Sequence, residues 1–299
     1  MIGQIVNWDA GKQGMLSGKV TGGEKGKRWR IESKGKTYYV EKDKVKKGVL
    51  KKKKKMKIAV LISGRLTNYD TNYQSLMDNV VQDNDVDFYA GISTEPINEK
   101  LLDGFLKLYK IPKNRYKISD KPLLDITNEQ WNDPKVVKLS PSPNDEKRRV
   151  VKNPMFMWRN RDAVMDVFKR SNVTYDWVIS TRIDMVYKNK LNYSELDPNK
   201  LNIPHFDEVG KKKRTGDFGG YQDKIAIGKK PLILKYLDVY DHMKKYLIDD
   251  YQTAEPEKLT KNFVDKFHKL PVKRVYLHHT IFPKIPQKQK IKAGETGQK

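Results

Sequence analysis

The chain has 299 residues, 37% of them hydrophobic and 10% aromatic, with no cysteine and a formal net charge of +24. That is enough apolar material for a packed core rather than a disordered chain, and it excludes disulfides, thiolate metal sites and cysteine nucleophiles. No apolar run approaches the roughly 20 residues that span a bilayer, and the opening MIGQIVNWDAG lacks a secretory pattern, so a soluble cytoplasmic protein is expected.

The charge is uneven. Residues 1–55 hold 17 Lys and Arg against 5 Asp and Glu, half of the whole excess. Such density attracts polyanions: nucleic acid, anionic lipid or acidic glycans. A lysine-rich genome would produce the same bias without any partner.

Residues 1–50 read as a small basic β-module. Ile2, Ile5, Val6 and Trp8 open a first strand, with further strands over Met15–Val20, Arg28–Ser33 and Thr37–Val40, and a hairpin signal at Lys34-Gly35-Lys36. This length suits a five-stranded barrel of the OB or SH3-like kind. The run Gly3-Gln4-Ile5-Val6-Asn7-Trp8-Asp9, then Gly11-Lys12-Gln13-Gly14, with Thr37-Tyr38-Tyr39-Val40, Asp43 and Val45 further on, resembles a cold-shock domain. That resemblance implies nucleic-acid binding. Where the family carries two base-stacking aromatics, this chain has Gly14-Met15-Leu16-Ser17-Gly18, leaving Trp8, Tyr38 and Tyr39 as the candidate rings. Lys51–Lys55 is an extended, self-repelling linker.

From Met56 the pattern alternates strand and helix. Lys57–Ile62 is a continuous apolar run, as in a central parallel strand, and ends at Ser63-Gly64-Arg65. A helix is expected over Tyr73–Val81, a strand over Val86–Ile92 and a helix over Glu99–Tyr109. Residues 111–150 lack periodicity and read as a long loop. A helix over Pro154–Ser171 then precedes a strand at Tyr175–Ser180, which ends in Thr181-Arg182-Ile183-Asp184. Lys224–Gly228 is a short strand, Lys230–Leu247 and Glu255–Leu270 are amphipathic helices, and Val272–Leu277 is a late strand before His278-His279. The order predicts an α/β domain over 56–285 with a parallel sheet, followed by a polar tail over 286–299.

Ligands of open α/β sheets bind at the carboxyl ends of the strands. Three polar clusters fall there. Gly64 lets backbone approach a nucleotide, and Arg65 offers a partner for phosphate. Asp184 is a carboxylate suited to Mg²⁺ or Mn²⁺; Arg182 either contacts phosphate or holds Asp184 in place. Asp223, after the glycine-rich stretch 216–220, either binds a sugar hydroxyl or acts as a general base. His279, or its neighbour His278, offers a neutral imidazole as a metal ligand, and either is equally a plain surface or core residue. Glu255 and Glu257 either favour their helix N-terminus or face the cleft.

Together, Lys57–Arg65, Tyr175–Asp184 and Tyr221–Gly228 are similar in order and spacing to a group of viral and bacterial glycosyltransferases of the GT-A type, over about residues 56–280. The resemblance implies a Rossmann-type mixed sheet flanked by helices, a nucleotide-sugar donor held by Ser63, Gly64, Arg65, Arg182 and Asp184, Mn²⁺ or Mg²⁺ on Asp184 and His279, Asp223 as the catalytic residue, and a glycan, protein or other hydroxyl acceptor. It implies the host cytoplasm for a viral chain. Arg182 stands where a strict DxD has its first carboxylate, and Arg65 follows Gly64 more closely than the group's spacing. The competing expectation is a nucleic-acid-binding protein whose α/β domain is non-catalytic.

Overall fold

The computed structural model describes residues 5–9, 15–22, 28–33, 35–41, 45–47, 55–93, 98–119, 146–205, 221–243, 245 and 256–281, with residues 5–9, 15–17, 19, 21–22, 29, 45–47, 146–154 and 281 described by their backbone alone. The chain divides into two compact units, Met1–Lys55 and Met56–Lys299.

The first unit is an antiparallel five-stranded sheet of β1 (Ile5–Asp9), β2 (Met15–Gly22), β3 (Arg28–Ser33), β4 (Lys36–Glu41) and β5 (Val45–Lys47). Its order is β4-β3-β2-β1-β5. A Greek key brings its fourth strand beside the first. Here the fourth pairs with the third, and the fifth returns to the first. The first four strands thus form an antiparallel meander that the fifth closes against the first. Val20, Ile31 and Val40 are buried, whereas Arg28, Arg30 and Tyr39 are exposed, the period-two alternation of a sheet with one wet face.

The second unit is a mixed α/β domain. Its strands β6 (Lys57–Gly64), β7 (Asp85–Ile92), β8 (Tyr116–Ile118), β9 (Trp177–Arg182), β11 (Leu201–Pro204), β12 (Ile225–Gly228) and β13 (Val272–Val275) form one sheet, ordered β13-β11-β12-β9-β6-β7-β8. Only β12 runs against the others. A separate antiparallel pair joins β10 (Met185–Tyr187) to β14 (His279–Ile281).

The apolar run of β6 is explained by burial on both faces. Ile58, Val60 and Ile62 pack beneath α1 (Tyr69–Leu76) and α2 (Glu99–Tyr109), with Leu76, Phe105 and Tyr109 in the same cluster. Ala59 and Leu61 face α3 (Glu146–Lys169) and α4 (Lys230–Leu237), among Val164, Phe168, Ile233 and Tyr236. No described helix is long and apolar enough to cross a membrane.

Several expected boundaries move. The helix expected from Tyr73 begins at Tyr69, and Met77–Val81 widens into a π turn. Two carbonyls near that turn accept tertiary donors: Asn79 from the Leu191 amide and Val80 from the Tyr193 hydroxyl. The loop expected over 111–150 contains β8, whose three residues are too few for a periodicity to show, and the first turns of α3. The helix expected over Lys230–Leu247 leaves α-geometry after Leu237. Asp238 takes ψ 56°, and its carboxylate faces both His242 and His268 at 3.8 and 3.9 Å. The helix expected over Glu255–Leu270 is α5 (Pro256–Asn262), continued by a π turn to Phe267. Strands β10, β11 and β14 add to the expected set. The loops at 22–26 and 216–220, Lys51–Lys54, Glu255 and the tail from 282 lie outside or largely outside the described residues.

Candidate functional site at the strand ends

The sheet register collects most of the sequence-predicted residues. Ser63, at the end of β6, stands opposite Arg182 at the end of β9. Because β12 runs backwards, its first residue Ile225 pairs with Thr181, which sets Asp223 beside the same strand end. Gly64 has φ +136°, a backbone conformation that side-chain-bearing residues rarely adopt, and an added Cβ would face Ile183 at about 4 Å. Its carbonyl accepts from the Ser93 amide, and the Ser63 carbonyl accepts from Ile183. From α1, the buried Asn72 amide donates to the Ile183 carbonyl at 2.7 Å, pinning the Arg182–Asp184 turn.

Arg182 donates to Asp184 through both Nε (2.8 Å) and Nη2 (2.6 Å). This planar fork occupies both carboxylate oxygens and leaves Arg182 three further N–H groups. Burial by itself would lower the Arg182 pKa. The neighbouring carboxylates Asp184, Asp223 and Glu257 more than offset it, so the guanidinium is held above its ordinary value. Arg182 thus pairs directly with Asp184, while the charges of Asp223 and Glu257 act on it from farther off.

Arg65 follows the strand end at an exposed position, outside this group. His279 is buried on β14, next to Tyr187 of β10. Its Nδ1 lies 2.8 Å from the Leu277 carbonyl, which only accepts, so Nδ1 carries the proton and Nε2 the lone pair. That tautomer is the ligating one. The donor set around it is nevertheless incomplete: both Asp184 oxygens are taken by Arg182, and no three His, Asp or Glu groups converge on a metal position among the described residues. The residues present do not fit a metal centre of the DxD kind.

The sequence reading missed a second set of residues, on α3. Arg159, Asn160, Arg161 and Asp162 are four consecutive buried polar residues, beside Trp158 at 0% exposure. The helix presses so closely on β7 that a Cβ at Gly91 would lie 2.0 Å from the Asn160 carbonyl oxygen. Arg161 stacks on Trp158 at 4.3 Å and reaches Tyr236 of α4. Burial pushes the Tyr236 phenol up to about 12, with Arg161 opposing that shift and Asp223 adding to it. The Tyr236 hydroxyl donates to the Gln222 carbonyl, so this ring links α3 to the Gln222-Asp223 pair.

Several atoms of this group are buried with no hydrogen-bond partner among the described residues: Asp223 Oδ1, Gln222 Oε1, Arg161 Nη1, Asn160 Oδ1 and Trp158 Nε1. Buried polar atoms are normally satisfied, and each orphan costs about 1–3 kcal/mol. In the sequence, Trp158-Arg159-Asn160-Arg161-Asp162 reads as a solvated polar stretch, and only the packing of α3 shows that it is enclosed. No family model matches the chain, and no curated protein matches its sequence.

Proposed function

We propose that residues 56–281 transfer a sugar from a nucleotide-sugar donor to a hydroxyl acceptor, in a domain of the GT-A type. The observation carrying this reading is the juxtaposition of Arg182 with the buried, half-unpartnered Asp223 at the carboxyl ends of the central strands. The sheet supports it. Counting its seven strands along the chain, the order is third-second-first-fourth-sixth-fifth-seventh with the sixth alone reversed, an arrangement that suits the GT-A resemblance.

In this reading Gly64 leaves room for the nucleotide, and Arg182, oriented by Asp184, directs its remaining N–H groups at the diphosphate. The acceptor hydroxyl oxygen attacks the anomeric carbon while the bond to the diphosphate oxygen breaks. Asp223 takes the hydroxyl proton, and Arg182 stabilises the charge on the departing nucleoside diphosphate. No step is routed through a metal ion.

A thermal-shift screen of nucleotide sugars, each with Mn²⁺ and with EDTA, tests this. A donor at a hundredfold excess over its Kd adds about 2.7 kcal/mol, which for a domain of this size raises the melting temperature by roughly 5–11 °C. The shift should vanish in Arg182→Ala. A screen in which no nucleotide sugar shifts the wild type removes the reading.

A second reading applies to the first unit alone. Tyr39 is 68% exposed and stands cross-strand from Arg30, with Arg28 on the same strand. An exposed ring flanked by guanidinium groups can stack on a base. We propose that this face binds single-stranded nucleic acid. Tyr39→Ala should then weaken oligothymidylate binding about five- to tenfold or more, consistent with ~1–3 kcal/mol per stacked base. Unchanged affinity in a titration would leave charge alone as the cause.

A further inference from the structure

A cavity of about 580 Å³ opens between the segment leading into β8 and the C-terminal end of α3. A second cavity of about 430 Å³ shares Ser171, Asn172 and Val173 with it and extends to the start of α4. β12 is reversed, so its last residue, Gly228, pairs with Val178 near the start of β9 and delivers Lys229 and Lys230 to the second cavity. The two cavities form one groove, and none of Ser63, Arg182 and Asp223 lines it.

The charge in the groove has one sign. Lys113, Arg115, Lys117 and Arg170 line the first cavity and Lys229 and Lys230 the second, with no Asp or Glu among the lining residues. Two of the cations are tethered from behind. Arg115 donates to Asp87 at 2.6 Å and Lys117 to Asp166 at 3.1 Å. Lys229 and Lys230 each donate to a backbone carbonyl at 2.6 Å, from Asp176 and Ser171 respectively, which orients their ammonium groups. Lys113 and Arg170 are exposed. The first turn of α4 therefore carries two lysines, no acidic residue and no side-chain cap, opposite to what its dipole favours.

Between the cations the lining mixes polar groups, Asn114, Ser171, Asn172 and Thr174, with Tyr116, Val167, Val173 and Pro231. Tyr89 and Tyr175 in the walls are buried and already joined hydroxyl to hydroxyl. Neither ring is offered as a flat platform, as a single-stranded nucleic acid would need. A ligand bearing regularly spaced anions on a hydroxyl-rich chain matches these groups better.

We infer that this groove binds an acidic polysaccharide chain, one that carries carboxylates or phosphates. The inference does not depend on the chemistry at the strand ends. For the activity proposed above, such a chain would be the distal part of an anionic acceptor, or an anchor holding the enzyme on it.

Binding of oligogalacturonate to the full-length protein, at about 0.15 M ionic strength to screen diffuse attraction, tests the site. Neutral dextran and oligothymidylate are the comparison ligands. The double variant K113E/R170E reverses two exposed groove cations, and K100E/K107E makes the same charge change on the exposed side of α2. The expected result is oligogalacturonate affinity weakened about tenfold or more in the groove variant and changed less than about twofold in the α2 variant, with no dextran binding. Absence of wild-type binding, equal loss in both variants, or tighter oligothymidylate binding with the same groove sensitivity would each overturn it. Asp223→Asn should bind the polymer as the wild type does, which separates a failure here from a failure of the glycosyl-transfer reading.

Discussion

Gly91→Ala is expected to destabilise the α/β unit by on the order of 3 kcal/mol, seen as a lower urea midpoint with an unchanged slope. The added methyl would sit 2.0 Å from the Asn160 carbonyl oxygen and 2.7 Å from the Val164 amide nitrogen. Both are backbone atoms of α3, so no rotamer change relieves the clash, and the helix has to lift from the sheet. Gly104→Ala provides the contrast. Its Cβ would meet the hydroxyl end of Tyr69 at 2.4 Å, a side chain that can swing, and the helix gains about 0.5–1 kcal/mol from losing a glycine. The Gly104 variant should stay within about 1 kcal/mol of the wild type. If the two variants prove equally mild, α3 does not bear on β7 as described. The same displacement would carry Asn160 and Arg161 away from Asp223, so activity should fall even at temperatures where the Gly91 variant remains folded.

The largest functional effect is expected from Asp223→Asn. The substitution keeps shape and volume but removes the carboxylate that, in the proposed glycosyl transfer, takes the acceptor proton, so on that proposal kcat should drop by about 10²–10⁴. Donor affinity should change far less, because Arg182 and its Asp184 partner are left in place. The melting temperature should hold, since Asp223 Oδ1 accepts no hydrogen bond from a described residue that the amide would forfeit. Steady-state turnover with a donor identified by thermal shift is the measurement. Full turnover in Asp223→Asn would take the base role from this residue. Arg182→Ala should behave in the opposite sense, losing donor binding first and stability with it, because truncation strands part-buried carboxylates.

These two positions show how differently the parts of the protein were written in the chain. Asp223 could be picked out from its place before a short apolar strand. Gly91 read only as the penultimate residue of a strand, and nothing local marks a glycine on which a helix rests. The buried polar run Arg159–Asp162 was likewise invisible as a site. Its charge and amides look like a solvated helix face until packing shows that α3 is enclosed on several sides.

Local sequence by itself determined the alternation of elements, the two-sided burial of β6, β7 and β9, and the strand-end positions of Gly64, Arg182 and Asp184. Those features rest on apolar runs and on turn residues, both of which act over a few neighbours. Tertiary structure decided the rest. The reversal of β12, which brings Asp223 to Arg182 and Lys229 to the groove, depends on pairing between strands more than forty residues apart. The pairing of Arg182 with both oxygens of Asp184, the order of the N-terminal sheet and the enclosure of Arg161 depend on which surfaces meet, a long-range choice that no short window of residues records.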